Sequence, residues 1–117
     1  MLDLLFFLFL GHIFGDFAFQ SDRMASEKTS SRKVLTCHAI IYTLTVAVFL
    51  FLGLLHNNSD AFLRVSTLVI MIFLFVEHWL QDYAKAGLFN SSKQGFYLDQ
   101  ALHLLLLLVI RVLVYNG

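Results

Sequence analysis

Four stretches of the chain are almost entirely apolar, and polar segments separate them. The apolar stretches are residues 2–20, 34–55, 62–83 and 96–115. Each has close to the ~20 residues that an α-helix needs to cross the hydrocarbon core of a bilayer. The helices would be apolar on all faces, which is unlike the helices of a soluble four-helix bundle. The pattern predicts an all-α integral membrane protein, in which residues 1–117 form a single domain of four transmembrane helices packed as a small bundle.

The composition supports this prediction. The chain is 59% hydrophobic and 14% charged, whereas an ordinary soluble domain has about 25% charged residues. The net charge is zero, so no nucleic-acid partner is expected. Cys37 is the single cysteine, which excludes an internal disulfide.

The basic residues predict how the helices are oriented. Cytoplasmic segments carry an excess of lysine and arginine. The first and third polar segments are the basic ones, through Arg23, Lys28, Arg32, Lys33, Lys85 and Lys93. We therefore expect residues 21–33 and 84–95 to be cytoplasmic and both termini to lie outside, in a bacterial inner (cytoplasmic) membrane. Membrane lipids are the expected partners, and a homo-oligomer or a larger membrane complex is compatible with the sequence.

Three pairs of histidine and aspartate lie inside the apolar stretches. The two members of each pair are four residues apart: His12 and Asp16, His78 and Asp82, Asp99 and His103. This spacing places both side chains on one face of an α-helix. An ionised aspartate near the centre of a membrane helix costs roughly 2.5–3.5 kcal/mol. Three such pairs therefore indicate a functional site.

The predicted topology brings these pairs into one layer. At 1.5 Å per residue, all of them lie within roughly 5–13 Å of a cytoplasmic helix end. His38, which lies one turn into the second helix, joins the same layer, whereas His56 lies at the opposite end and is expected to form a hydrogen bond between helices.

Histidine and aspartate together are common ligands of zinc, manganese and iron. The sequence predicts a divalent-metal site, with zinc as the first candidate, held by His12, Asp16, His38, His78, Asp82, Asp99 and His103. One metal with an outer layer of hydrogen-bonding residues, or two metals that share an aspartate, would use this set. Two alternatives contain no such metal: a polar network for protons or ions, and a haem between His38 and His103, although haem needs no carboxylate.

Further residues have weaker signals. Gly11 and Gly15 form a Gly-x-x-x-Gly face that allows a neighbouring helix to approach closely. Glu77 is either a general base at the edge of the site or an interfacial side chain. Other polar or aromatic residues near the layer are candidates for hydrogen bonds to the ligands, namely Gln20, Gln100 and Tyr42.

Four motifs, in this order, carry a resemblance to a known family. They are residues 12–22 with Met24, Ala25 and Lys28; residues 38–42; residues 78–82 with Lys85; and residues 96–103. Over nearly its whole length the chain resembles the small bacterial membrane proteins catalogued as domain of unknown function 3307. The resemblance implies no activity, because the function of that family is unknown. In residue type alone the pattern is also similar to membrane-bound proteins described as metal-dependent hydrolases.

Three functions fit the predicted site. The first is a metal-dependent hydrolase of a lipid or phosphoester, because a bound metal lowers the pKa of its water toward 7; Asp16, Asp82 and Asp99 are its candidate catalytic carboxylates. The second is a metal or proton transport protein. The third is a non-catalytic membrane subunit with a structural polar or metal cluster. Few polar residues interrupt the outer halves of the helices, namely Asp3, His56, Thr67 and Arg111, which argues against a conduction path.

Overall fold

The computed structural model describes residues 3–18, 31–57, 59–60, 64–88 and 93–116. Over these residues the chain is all-α and contains no strand, which confirms the all-α part of the prediction. The helices are α1 (Leu4–Ile13), α2 (Arg32–His56), α3 (Val65–Leu88) and α4 (Lys93–Asn116). A π-helical turn over Phe14–Ala18 directly follows α1.

Three of the described helical segments are long and apolar enough to cross a membrane: Arg32–His56, Val65–Ala84 and Gln94–Val114. The apolar segment Leu4–Phe17 is shorter, with a length of about 21 Å at 1.5 Å per residue. The hydrocarbon core of a bilayer is ~30 Å thick. Three helices are therefore consistent with a membrane protein, and the predicted first span stays a prediction because residues 2, 19 and 20 lie outside the described residues.

The helices extend further into the polar segments than the apolar pattern predicts. Helix α3 continues to Leu88 and α4 begins at Lys93, so most of the expected loop 84–95 is helical. Apolar residues mark only the part of a helix that contacts other apolar groups, whereas lysine, glutamine and alanine continue a helix without such contacts. Helix α2 begins after Ser31, whose side chain accepts a hydrogen bond from the Val34 N–H. The expected loop 21–30 lies outside the described residues.

Helix α1 and the turn after it pack closely against α2 through two glycines. A Cβ atom on Gly11 would lie 3.0 Å from the Val46 Cα, and one on Gly15 would lie 3.0 Å from the Tyr42 Cδ2. Contacts this short leave no space for a larger side chain. The predicted close approach at the Gly-x-x-x-Gly face is therefore confirmed.

One half of the bundle has an apolar core. Its fully buried side chains include Leu4, Leu8, Val46, Leu50, Leu54, Leu74, Leu107, Ile110 and Val114. At the end of this half, the Arg111 Nε donates to the Asp3 Oδ1 at 3.0 Å, and the Arg111 Nη2 donates to the Asp3 Oδ2 at 2.6 Å. His56 is at the same end, where it is exposed and contacts the ring of Phe7.

Candidate metal centre

All seven predicted ligands lie in the other half of the bundle. Each is no more than 4% exposed. His12 lies in α1, Asp16 in the π-helical turn and His38 in the first turns of α2. His78 and Asp82 lie in the last turns of α3, and Asp99 and His103 lie in the first turns of α4. The predicted convergence of residues that are scattered along the sequence is therefore confirmed.

Two members of this layer, His78 and His103, lie further from their helix ends than the sequence predicts. His38, Asp82 and Asp99 are six residues from the end of their helix, or about 9 Å at 1.5 Å per residue. His78 and His103 are ten residues from theirs, or about 15 Å. Their greater distance arises because α3 and α4 continue into the segment that was expected to be a loop.

Four of the residues form a group that could hold a metal ion, here called the four-residue group: Asp16, His38, His78 and Asp82. The Nε2 atoms of His38 and His78 are 3.0 Å apart. The Asp82 Oδ2 lies 3.2 Å from the His38 Nε2 and 3.3 Å from the His78 Nε2. The Asp16 Oδ1 lies 3.1 Å from the His38 Nε2 and 3.7 Å from the His78 Nε2. Zinc bonds of about 2.0–2.2 Å in a tetrahedron place the ligand atoms about 3.3–3.6 Å apart. The group therefore has nearly the spacing that a tetrahedral metal requires.

A second set, here called the three-residue group, consists of Asp82, Asp99 and His103. The His103 Nε2 lies 3.7 Å from the Asp82 Oδ1 and 3.6 Å from the Asp99 Oδ1. This nitrogen is buried and has no hydrogen-bond partner among the described residues. Three protein ligands leave one position of a tetrahedral metal open for water or substrate.

Asp82 belongs to both groups. Its Oδ2 atom faces His38 and His78, whereas its Oδ1 atom faces His103. The two oxygens of one carboxylate are therefore directed to two adjacent positions that can each accept a cation. Of the two arrangements that the sequence leaves open, this geometry favours two metals that share an aspartate.

Charge supports the same conclusion. Three carboxylates are buried at this level of the bundle: Asp16, Asp82 and Asp99. Buried ionised groups are costly unless they are paired or coordinate a metal. Divalent cations would balance the charge of these carboxylates while they use the imidazole nitrogens as neutral ligands.

The structure places His12 beside the two groups but in neither of them. The His12 Nε2 lies 2.8 Å from the Gln100 Oε1 and donates a hydrogen bond to that amide oxygen. The His12 Nδ1 lies 2.8 Å from the Tyr42 hydroxyl and, in a neutral imidazole, accepts a hydrogen bond from it. Both ring nitrogens are therefore engaged, and the geometry gives His12 the role of a hydrogen-bonding residue rather than that of a ligand.

Two glutamines bind the carboxylates of the groups. The Gln100 amide donates to the Asp16 Oδ2 at 3.4 Å and to the Asp99 Oδ2 at 3.3 Å. The Gln81 amide donates to the Asp99 Oδ1 at 3.0 Å and to the Asp99 main-chain oxygen at 2.8 Å. Partners of this kind orient ligands and tune a metal site. The contacts of Gln100 confirm the prediction that it hydrogen-bonds to the candidate ligands. Gln81 was not predicted, although it directly precedes Asp82 in the sequence.

Tyr42 connects the groups to the helix packing. Its ring stacks on His78 with centroids 3.7 Å apart, and its hydroxyl holds His12. It is one of the largest fully buried side chains. Tyr42 therefore both packs and hydrogen-bonds.

Three further residues, Cys37, Gln20 and Glu77, belong to neither group. Cys37 is exposed and belongs to neither group. Gln20 lies outside the described residues. The carboxylate of Glu77 lies at the edge of the cluster, in a groove between α3 and α4.

Comparison with known proteins gives a family but no function. No curated protein and no solved structure matches the chain. The model of a family described as "Protein of unknown function (DUF3307)" matches residues 4–116. The match includes every residue of both groups and covers nearly the whole chain. The protein therefore belongs to the DUF3307 family, as its motifs predict.

Proposed function

We propose that this protein is a membrane-bound hydrolase that uses two divalent metal ions to cleave a phosphoester bond of a lipid. The observation that carries the proposal is the position of Asp82, whose two oxygens face the two metal-ligating groups. Two metals held close together bind both the attacking and the leaving oxygen of a displacement at phosphorus. Zinc is the first candidate, and manganese or iron would also accept these ligands.

The residues then have distinct tasks. Bound metal ions would activate a water molecule and stabilise charge on the phosphate. Asp82 would hold one ion together with Asp16, His38 and His78. With Asp99 and His103 it would hold a second ion, which would keep a position for water or substrate. Water adds to phosphorus, the bond from phosphorus to the lipid alcohol oxygen breaks, and the alcohol leaves with a proton from the attacking water.

The arrangement of polar residues favours hydrolysis over transport. A carrier needs polar groups on both sides of its binding site, yet the described core beyond the cluster is apolar. Thr67 is the buried polar residue there, and Asp3 is engaged by Arg111. The open position of the three-residue group likewise favours catalysis over a purely structural clamp, in which protein ligands fill every position.

Hydrolysis can be tested with the purified protein in mixed micelles that contain phosphatidylethanolamine, phosphatidylglycerol or phosphatidic acid. We expect a released headgroup or phosphate, detected by ³¹P NMR and mass spectrometry. A chelator or Asp99→Asn should slow release about 100-fold or more, because a metal contributes several kcal/mol at the transition state. Zn²⁺, Mn²⁺ or Fe²⁺ should restore the chelated enzyme.

Asp60→Asn is the matched control, because Asp60 is an exposed aspartate that pairs with Arg64 outside the cluster. It should react at the rate of the wild type. Release that persists at full rate in chelator, or in Asp99→Asn, would contradict the proposal.

We also propose that the cluster lies near the cytoplasmic face of a bacterial inner membrane, because the segments next to it carry most of the basic residues. The test uses Ser30→Cys in a Cys37→Ser background. An impermeant maleimide added to intact spheroplasts should leave this cysteine unlabelled until the membrane is opened. Ser59→Cys, in the segment between α2 and α3, should be labelled at once. The reverse pattern would overturn the orientation.

A further inference from the structure

Three polar aromatic residues, here called the aromatic layer, lie on the outside of the bundle at the level of the two metal-ligating groups. Trp79 and Tyr83 each directly follow a ligand residue on α3, and Tyr97 lies two residues before Asp99 on α4. Tyr83 is 51% exposed and Tyr97 is 65% exposed. Trp79 is partly exposed, and its ring stacks on that of Tyr83 with centroids 5.2 Å apart. The Trp79 indole N–H donates to the Thr36 hydroxyl at 3.0 Å, which fixes this ring to α2.

The tyrosine hydroxyls of the aromatic layer need a polar environment. Neither the Tyr83 nor the Tyr97 hydroxyl has a hydrogen-bond partner among the residues that the structure describes. A hydroxyl without a partner is costly to place in hydrocarbon. Tyrosine and tryptophan are accordingly enriched at the two membrane–water interfaces, where the ring contacts apolar groups and the polar atom contacts water or headgroups. The aromatic layer therefore indicates that lipid headgroups meet the protein at the level of the metal-ligating groups.

A second polar layer lies at the other end of the bundle, where Arg111 pairs with Asp3. Their side chains are 33% and 51% exposed, so the pair belongs at a membrane surface rather than in hydrocarbon. On α4, Arg111 is twelve residues from Asp99, or about 18 Å at 1.5 Å per residue. On α2, His38 is fifteen residues from Gly53, which contacts the start of α1, or about 22 Å.

The two polar layers are closer together than the two surfaces of an unperturbed bilayer. They are separated by about 20 Å, whereas the hydrocarbon core is ~30 Å thick. The short apolar segment Leu4–Phe17, about 21 Å long, matches the smaller distance. A bilayer accommodates a short hydrophobic protein by becoming locally thinner, at a modest energetic cost.

We propose that the aromatic layer binds the headgroup region of the bilayer at the level of the metal-ligating groups, and that the bilayer is thinner around this protein. The ends of α3 and α4 beyond this level then lie among the headgroups. These ends contain Lys85 and Lys93, and basic residues at this height attract anionic lipids. Lipid phosphates thereby lie at the height of the ligands without leaving the bilayer. The proposal depends on neither bound metal nor hydrolysis.

The depth of the aromatic layer can be measured in the unmodified protein, because Trp79 is the single tryptophan of the chain. The protein is reconstituted in phosphatidylcholine vesicles with bromine atoms, which quench tryptophan fluorescence, near either the headgroup end or the methyl end of the acyl chains. We expect bromine near the headgroup end to quench Trp79 about threefold more.

Stronger quenching by bromine near the methyl end would overturn the proposal. It would show that the membrane surface lies at the far end of α3. Trp79 is nine residues from Leu88, where α3 ends, or about 13 Å. This depth is close to the middle of a ~30 Å hydrocarbon core, so the two positions of the surface predict opposite results.

Leu44→Trp in a Trp79→Phe background is the matched control. Leu44 is 61% exposed and lies six residues beyond His38 on α2, or about 9 Å deeper in the proposed arrangement. Bromine near the methyl end should quench this tryptophan more. Quenching of Leu44→Trp together with no quenching of Trp79 by either lipid would place Trp79 against another protein chain and would also overturn the proposal.

The thinner bilayer is tested by competition at Trp79. Vesicles of brominated eighteen-carbon phosphatidylcholine receive unbrominated monounsaturated phosphatidylcholine with either fourteen-carbon or twenty-two-carbon chains. The lipid that matches the protein better displaces the brominated lipid and restores fluorescence. We expect the fourteen-carbon lipid to be about threefold more effective, and equal effects or a preference for the longer lipid would overturn the thinning. A chelator should change neither experiment, so these results stand or fall separately from the hydrolase.

Discussion

Asp82→Asn is expected to weaken both metal sites and to lower the metal content of the purified protein from about two ions per chain to less than one, whereas Asp99→Asn lowers it from two ions to one. The difference follows from geometry, because Asp82 is the one residue that belongs to both the four-residue and the three-residue groups. Asparagine keeps the shape of the side chain but removes the negative charge that divalent metals require of a carboxylate ligand. Elemental analysis after dialysis gives the ion count, and circular dichroism verifies that each variant keeps its helices.

Asp3→Asn is the control for this experiment. Asp3 is also an aspartate in an ion pair, but it lies at the opposite end of the bundle with Arg111, so its replacement should leave the ion count unchanged. Equal loss of metal in Asp82→Asn and Asp99→Asn would contradict the shared-ligand arrangement. Equal and negligible metal in the wild type and in a His78→Ala, Asp82→Ala double variant would contradict metal binding altogether.

Tyr42→Ala is expected to lower the free energy of unfolding by about 3–5 kcal/mol, as truncation of a large buried aromatic residue does. Tyr42 is fully buried, stacks on His78 and fills the space next to Gly15. Tyr42→Phe keeps the ring and removes only the hydroxyl contact with His12, so it should cost about 1–3 kcal/mol. Unfolding of chelator-treated protein in mixed micelles measures both values without a contribution from bound metal.

Leu44→Ala supplies the comparison on the same helix. Leu44 is 61% exposed, and its truncation should change the free energy of unfolding by less than about 0.5 kcal/mol. A Tyr42→Ala variant as stable as Leu44→Ala would show that Tyr42 is not an essential part of the packing.

The layer of histidines and aspartates could be predicted from the sequence because it depends on two simple properties. Helical periodicity fixes which residues share a face, and the alternation of helix direction in a bundle brings the end of α1 and α3 to the start of α2 and α4. His38 is the informative case, since it has no aspartate four residues away and joined the set only through the predicted topology.

Other features of the site could not be predicted from helical spacing. The hydrogen bonds of His12 with Tyr42 and Gln100 connect three helices, and the rotation of each helix about its axis decides such contacts. The π-helical turn that carries Asp16 also departs from the regular geometry on which the spacing argument rests. Turns of this type are frequent at functional sites. The bridging position of Asp82 has the same origin, because it requires side chains from α2, α3 and α4 to meet.

The burial of the cluster has a consequence for how metal ions would reach it. With five of the six residues of the two groups at most 1% exposed and Asp16 at 4%, an ion, a chelator or the phosphate of a substrate would reach them only when the helices separate locally. Exchange of metal and hydrolysis would then share one limit, the rate of this opening. Chelation and reloading would therefore need long incubation or conditions that loosen the helix packing.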